Sequence, residues 1–188
     1  MPPVVRFTRE SVLNAAYSLV RREGPSTLNA RAVARELGGS TQPIFRLFTG
    51  MEELRNEVIR LADVSCRRTM HDVYTQSQNG YLSVCMAYMI FAREEPQLFK
   101  LLFMQDRNEH ASHMIYDHSW GVEVITASAS VDSATASRIY DLTWFHVHGM
   151  AVCIATKYTT NTDDASLYQM LTNQYNAAMA CLGLPSAT

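Results

Sequence analysis

Apolar residues recur along the chain at intervals of three and four, the spacing that gathers them on one face of an α-helix. Val12, Leu13, Ala16, Leu19 and Val20 predict a helix from an N-cap at Thr8 to about Glu23, ended by Gly24-Pro25-Ser26. Ala30, Val33, Ala34 and Leu37 predict a second after the N-cap Asn29, stopping at Gly38-Gly39, where a left-handed turn costs least. Ser40 is expected to cap a third helix of barely two turns, with Pro43 in its first turn and Ile44, Leu47 and Phe48 on its buried side. Thr49 and Glu52 form a T-x-x-E capping box that opens a long helix through Met51, Leu54, Val58 and Leu61 to about Thr75.

Beyond a break at Ser77 to Gly80, amphipathic runs predict helices over Tyr81 to Arg93 and from Pro96 through Phe103. A further helix is expected from about Met114 to Ala127, with Gly121 as a point where it could break. Asp132 or Ser133 starts a long helix to about Tyr158, and Asp163 or Asp164 starts the last, which runs to Leu182 and is ended by Gly183 and Pro185. The fold class is therefore all-α.

Composition agrees with this. Of 188 residues 47% are apolar, and the few Gly and Pro are scattered, which disfavours a many-turned β fold. Charge is uneven although the total is only −2. Residues 1–60 hold nine Arg and six Glu, net +3, whereas the remainder holds seven Lys or Arg against twelve Asp or Glu, net −5. A basic segment joined to an acidic one is the balance expected of a duplex-binding module on a body that does not touch phosphate. Cys66, Cys85, Cys153 and Cys181 are far apart with no C-x-x-C pair, which predicts reduced, mostly buried thiols in a cytoplasmic protein. The most apolar segment, Phe145 to Ala155, is too short to span a bilayer, so no membrane role is expected.

A helix, a glycine turn and a second short helix make a helix-turn-helix, whose second helix lies in the major groove of duplex DNA. On that pattern Thr41, Gln42 and Arg46 face the bases, and Arg31 and Ser40 help to hold phosphate. Gln42 can read adenine through paired hydrogen bonds; Arg46 binds guanine or only backbone. Arg6 and Arg9 flank the first helix start, where a cation opposes the macrodipole, so they are candidates either for phosphate contact or for plain solvation.

The run A30-R31-x-V33-A34-x-x-L37-G38-x-S40-x-x-P43-I44-F45-R46-x-F48, followed by E53-L54 and preceded by V12-L13-x-A15-A16 and Gly24, resembles the N-terminal domain of TetR-family transcriptional regulators over about Phe7 to Ile59. Phe45 stands where that family usually has Tyr, Leu47 where His or Tyr is common and Met51 where Lys is usual, each removing a phosphate donor from a DNA-facing position. Trp144-x-x-x-His148-Gly149, with PQLFKLLF earlier, is similar to the C-terminal domain of the TetR subgroup named for its Trp, His and Gly. The resemblance implies a DNA-binding helix-turn-helix domain over residues 1–50 and an effector-binding and dimerisation domain over 51–188. The implied function is a repressor released from a palindromic operator by a small apolar molecule; the alternative is a regulator whose body binds a protein partner instead.

Met and aromatic side chains line adaptable apolar pockets, and Met89, Phe99, Phe103, Trp120 and Trp144 are expected to touch the effector, with His148 as its polar contact. The alternative for His148 is a core histidine bonded to a backbone carbonyl. Gly149 is expected to admit a closely packed helix, and the helices from about Ser133 and from Ala165 to pair with their symmetry mates in a homodimer. No Glu-x-x-His, G-x-S-x-G, P-loop or Rossmann fingerprint is present, and neither His110-x-x-His113 nor His146-x-His148 has a compelling ligand spacing. No metal, cofactor or enzymatic activity is expected.

Overall fold

Four side-chain oxygens set where four of the helices begin. Thr8, Asn29, Asp132 and Asp163 each accept a hydrogen bond from the backbone N–H three residues on, at 3.1, 3.0, 2.7 and 2.9 Å, satisfying a donor that the first helical turn leaves without a partner. In this computed structural model they start α1 (Arg9–Glu23), α2 (Ala30–Glu36), α8 (Ser133–Ala155) and α9 (Asp164–Cys181). The other helices are α3 (Gln42–Leu47), α4 (Met51–Gln76), α5 (Gly80–Glu94), α6 (Pro96–Phe103) and α7 (His118–Ala129). The structure describes residues 7–77, 80–105 and 118–186; Arg6, His110, His113 and the expected helix start at Met114 lie outside these. Among the described residues there are nine α-helices and no strand, an all-α fold.

Three boundaries differ from the sequence pattern. Ser40 does not cap α3: Thr41 occupies the N-cap position with helical dihedrals and no side-chain bond, so the helix starts at Gln42 and Pro43 still falls in the first turn. The capping box expected between Thr49 and Glu52 does not form: both the Thr49 N–H and the Thr49 hydroxyl donate to the Glu53 carboxylate, at 2.6 Å and 2.8 Å, because α4 starts at Met51 and Glu53 is its third residue. α8 stops at Ala155 rather than Tyr158. Lys157 turns left-handed at φ +58° and the Tyr158 N–H reaches back to the Cys153 carbonyl at 2.9 Å, closing the helix as glycine ordinarily does.

The chain divides into two compact units, one within Met1–Ser65 and Gln97–Ile115, the other within Cys66–Pro96 and Tyr116–Thr188, so α4 begins in the first and ends in the second. In the first, α1 packs on α2 and α3 around Val12, Ala16, Val20, Val33, Ile44 and Leu54, and Gln97 of α6 lies against Gly24. In the second, α5 packs on α7, α8 and α9, with Tyr88, Met89, Ile125, Ile139, Leu167 and Leu171 fully buried.

Within the chain the close approach is made at Gly121 and not at Gly149. A Cβ at Gly149 would meet nothing within 4 Å, whereas one at Gly121 would overlap the Tyr140 ring. Gly121 does not break α7; it lets α8 press an aromatic ring against the α7 backbone. Gly121→Ala should therefore destabilise the second unit by about 1–3 kcal/mol. Both tryptophans lie in that unit, so denaturant unfolding followed by tryptophan emission is the measurement, and an unchanged midpoint would refute the packing argument.

Candidate functional site

The outward face of the helix-turn-helix is built by what its inward face consumes. Ile44 and Phe48 are 0% and 2% exposed, and Val33 and Ala34 are buried on α2, which leaves Gln42, Phe45 and Arg46 on the other side of α3. Gln42, Phe45 and Arg46 stand at i, i+3 and i+4 and share one face. Thr41 is half-buried at the start of the helix and Ser40 is exposed in the turn.

Arginine partnering divides the first unit. Arg22 pairs with Glu36 at 2.8 Å and Glu23 at 2.9 Å, and these two carboxylates raise its pKa; Arg60 pairs with Glu57 at 3.1 Å. Arg31 and Arg46 are exposed and have no carboxylate partner among the described residues. These two cations stand in the chain on either side of the turn, with Ser40, Thr41 and Gln42 between them.

Arg9, a candidate for phosphate contact or plain solvation, is engaged within the protein. Its guanidinium donates to the Leu47 carbonyl at 3.0 Å, pairs with Glu53 at 2.8 Å and Glu57 at 3.6 Å, and lies over the Phe48 ring at 4.2 Å from the centroid. It thereby ties the start of α1 to the last turn of α3 and the first turns of α4. A cation at the carbonyl end of α3 also faces the favourable end of that helix dipole. Arg9 positions α3, and the sequence could not show this because its partners are 38 to 48 residues away.

In the second unit, Tyr140, Trp144 and His148 recur every fourth residue on α8 and stack in a column: Tyr140 on Trp144 at 5.7 Å and 9°, Trp144 on His148 at 5.8 Å and 22°. Tyr88 of α5 lies 5.3 Å from Trp144 and its hydroxyl is 2.9 Å from His148 Nδ1, so His148 bonds a tyrosine rather than a backbone carbonyl there. Two turns of α5 further back, the Thr143 hydroxyl donates to the Ile139 carbonyl at 2.8 Å and therefore accepts from the Tyr81 hydroxyl at 3.0 Å. Burial holds the Tyr81 phenol well above its usual range and pushes the Cys85 thiol up to about 12, so this cysteine stays protonated and unreactive.

Of the residues expected around an effector, the described contacts join Trp144 and His148. Trp120 packs edge-on against Tyr74 at 5.9 Å, and Met89 is fully buried in α5. Phe99 and Phe103 pair with each other at 4.8 Å in the first unit. Tyr81, Tyr88 and Tyr140 were missed. Their signal was the spacing: Tyr81, Cys85 and Tyr88 on α5, and Tyr140, Trp144 and His148 on α8, each trace one helix face. Among the described residues no group of three or more His, Cys, Asp or Glu could hold a metal ion, and no helix is long and apolar enough to cross a membrane.

No family model matches the chain, and no curated protein matches it. A solved structure, described as that of a protein with unknown function from Rhodococcus sp. RHA1, superposes with a TM-score of 0.70 at 18% identity, covering 94% of this chain and 98% of that one. At that identity the likeness is one of fold.

The Arg9 node carries a pH dependence. The Thr49 N–H, the Thr49 hydroxyl and Arg9 together hold the Glu53 carboxyl below the usual glutamate range. A depressed folded-state pKa contributes stability that is complete above the unfolded value and is lost as pH falls through the folded one. Stability of the wild type should thus fall more steeply below about pH 4.5 than that of Glu53→Gln. Helix content by circular dichroism against denaturant, at several pH values, measures it; parallel acid limbs would show that Glu53 contributes nothing.

Proposed function

We infer that this chain is a ligand-responsive, DNA-binding transcriptional repressor of the TetR type, working in the cytoplasm as a homodimer on a palindromic operator. The observation that carries the DNA half of this reading is the pair of exposed arginines without a carboxylate partner, Arg31 and Arg46, flanking Thr41 and Gln42 on a helix-turn-helix, while Arg9, Arg22 and Arg60 of the same unit pair with Glu. Cations kept without a protein partner suit a polyanion, because each phosphate they neutralise releases a condensed counterion. Gln42 on the same face offers the donor and acceptor that adenine presents in the major groove.

Dimerisation is supported by the outer face of α8. Leu142 is 44% exposed, Phe145 is 78% exposed, and Gly149, with open space above it, continues the same stripe. Two copies related by a two-fold axis would place their reading helices in successive major grooves about 34–36 Å apart. The effector reading rests on the Trp144 column: an apolar ring could pack on it while one polar group meets the Tyr88–His148 pair. Such a ligand acts only by binding the DNA-competent and incompetent arrangements with different affinity.

Selection from a random duplex pool tests the DNA reading, and enrichment of a two-fold repeated sequence is expected. On the selected duplex, Arg31→Ala and Arg46→Ala should each lower the slope of log affinity against log salt by about one. Unchanged slopes would mean that neither cation meets phosphate. Phe145→Glu should convert a dimer at micromolar concentration to a monomer in sedimentation and weaken binding to the two-fold site far more than to a half-site. A wild-type monomer would end both the dimer and the palindrome.

A further inference from the structure

We propose that Phe45 is a specificity determinant that reads thymine in the major groove through its 5-methyl group. The proposal rests on the DNA-binding reading above and names what that surface would select. Phe45 is 55% exposed on a six-residue helix whose core positions are already filled by Ile44 and Phe48. The ring has no aromatic or cation partner among the described residues, so it is not there to pack the head. It stands one turn after Gln42 and beside Arg46, on the face that carries the polar reader and the unpaired cation.

A phenyl group at that place can neither donate to phosphate nor bond a base edge. Its gain on binding is the removal of apolar surface from water. The thymine methyl is the apolar group that the four base pairs project into the major groove, and a Phe side chain is among the partners that match it. Arg46 and Arg31, by drawing the helix to the phosphates, press the ring toward the base edges and away from solvent. The result is a face with three kinds of contact on about one turn of helix: hydrogen bonding at Gln42, charge at Arg46 and apolar contact at Phe45.

The test uses the full chain and a duplex enriched from a random pool, resynthesised with each thymine replaced in turn by deoxyuridine, which lacks only the methyl. One thymine in each half-site should lose about fourfold in affinity on replacement, the value of one buried methyl-sized group. Phe45→Ala should bind the thymine duplex more weakly, abolish the thymine–uracil difference at that position alone and leave the salt slope unchanged. Phe45→Leu should retain part of it. Because the ring is exposed, the circular dichroism of these variants should match the wild type, which separates loss of reading from loss of fold. A wild type that binds thymine and uracil duplexes equally at every position, or a Phe45→Ala protein that keeps the difference, overturns the proposal while sparing the DNA-binding reading. Failure of any duplex to enrich overturns both.

Discussion

A helix of six residues does not hold itself. Isolated helices shorter than about 12–15 residues are marginal in water, and α3 has no side-chain cap at its start. It persists because Ile44 and Phe48 are buried in the first unit and because Arg9 takes up the Leu47 carbonyl at its end. That dependence orders the rest of the head. α1 supplies the apolar floor and the clamp, α4 supplies Glu53 and Glu57 to hold the clamp, and Thr49 orients Glu53 in turn. All the outward side chains of α3 are thereby released from structural duty, which is why an aromatic ring can stand there half in water.

The second unit solves a different problem, that of placing hydroxyls and an imidazole among aromatic rings. Buried polar groups are costly unless bonded, and the pairs Tyr81–Thr143 and Tyr88–His148 satisfy one another across α5 and α8. Thr143 manages with a single proton because it spends it inside its own helix. Arg93 fastens the start of α9 by bonding Asp164 at 2.6 Å and the Thr162 carbonyl at 2.7 Å. Helix positions in this unit are therefore set by paired polar groups as well as by the apolar core.

Legibility in the sequence followed the range of the interaction. Caps at Thr8, Asn29, Asp132 and Asp163 were readable because donor and acceptor are three residues apart. The all-α class was readable because periodicity summed over nine helices is a strong signal. Ser40 and Glu52 misled by one residue each, since a boundary between two adjacent short elements is set by tertiary packing as much as by local chemistry. The role of Arg9 was invisible because it needs four distant partners, and the close approach at Gly121 needed the identity of the facing side chain. The partners of the aromatic residues were hidden for the same reason. Composition picks out aromatic residues, but only the fold decides that Phe99 pairs with Phe103 and Trp120 with Tyr74.

The contact of Gly121 with Tyr140 binds the history of several positions together. A side chain at 121 is accommodated without cost only if the ring at 140 shrinks, and a smaller residue at 140 strips Trp144 of its stacked neighbour and His118 of the ring it meets edge-on at 4.9 Å. Each single replacement is unfavourable until the others have occurred. Descendants of this chain should therefore change positions 121, 140 and 144 as a linked group or keep all three, and drift at the stacked column is closed off by one missing methyl group on α7.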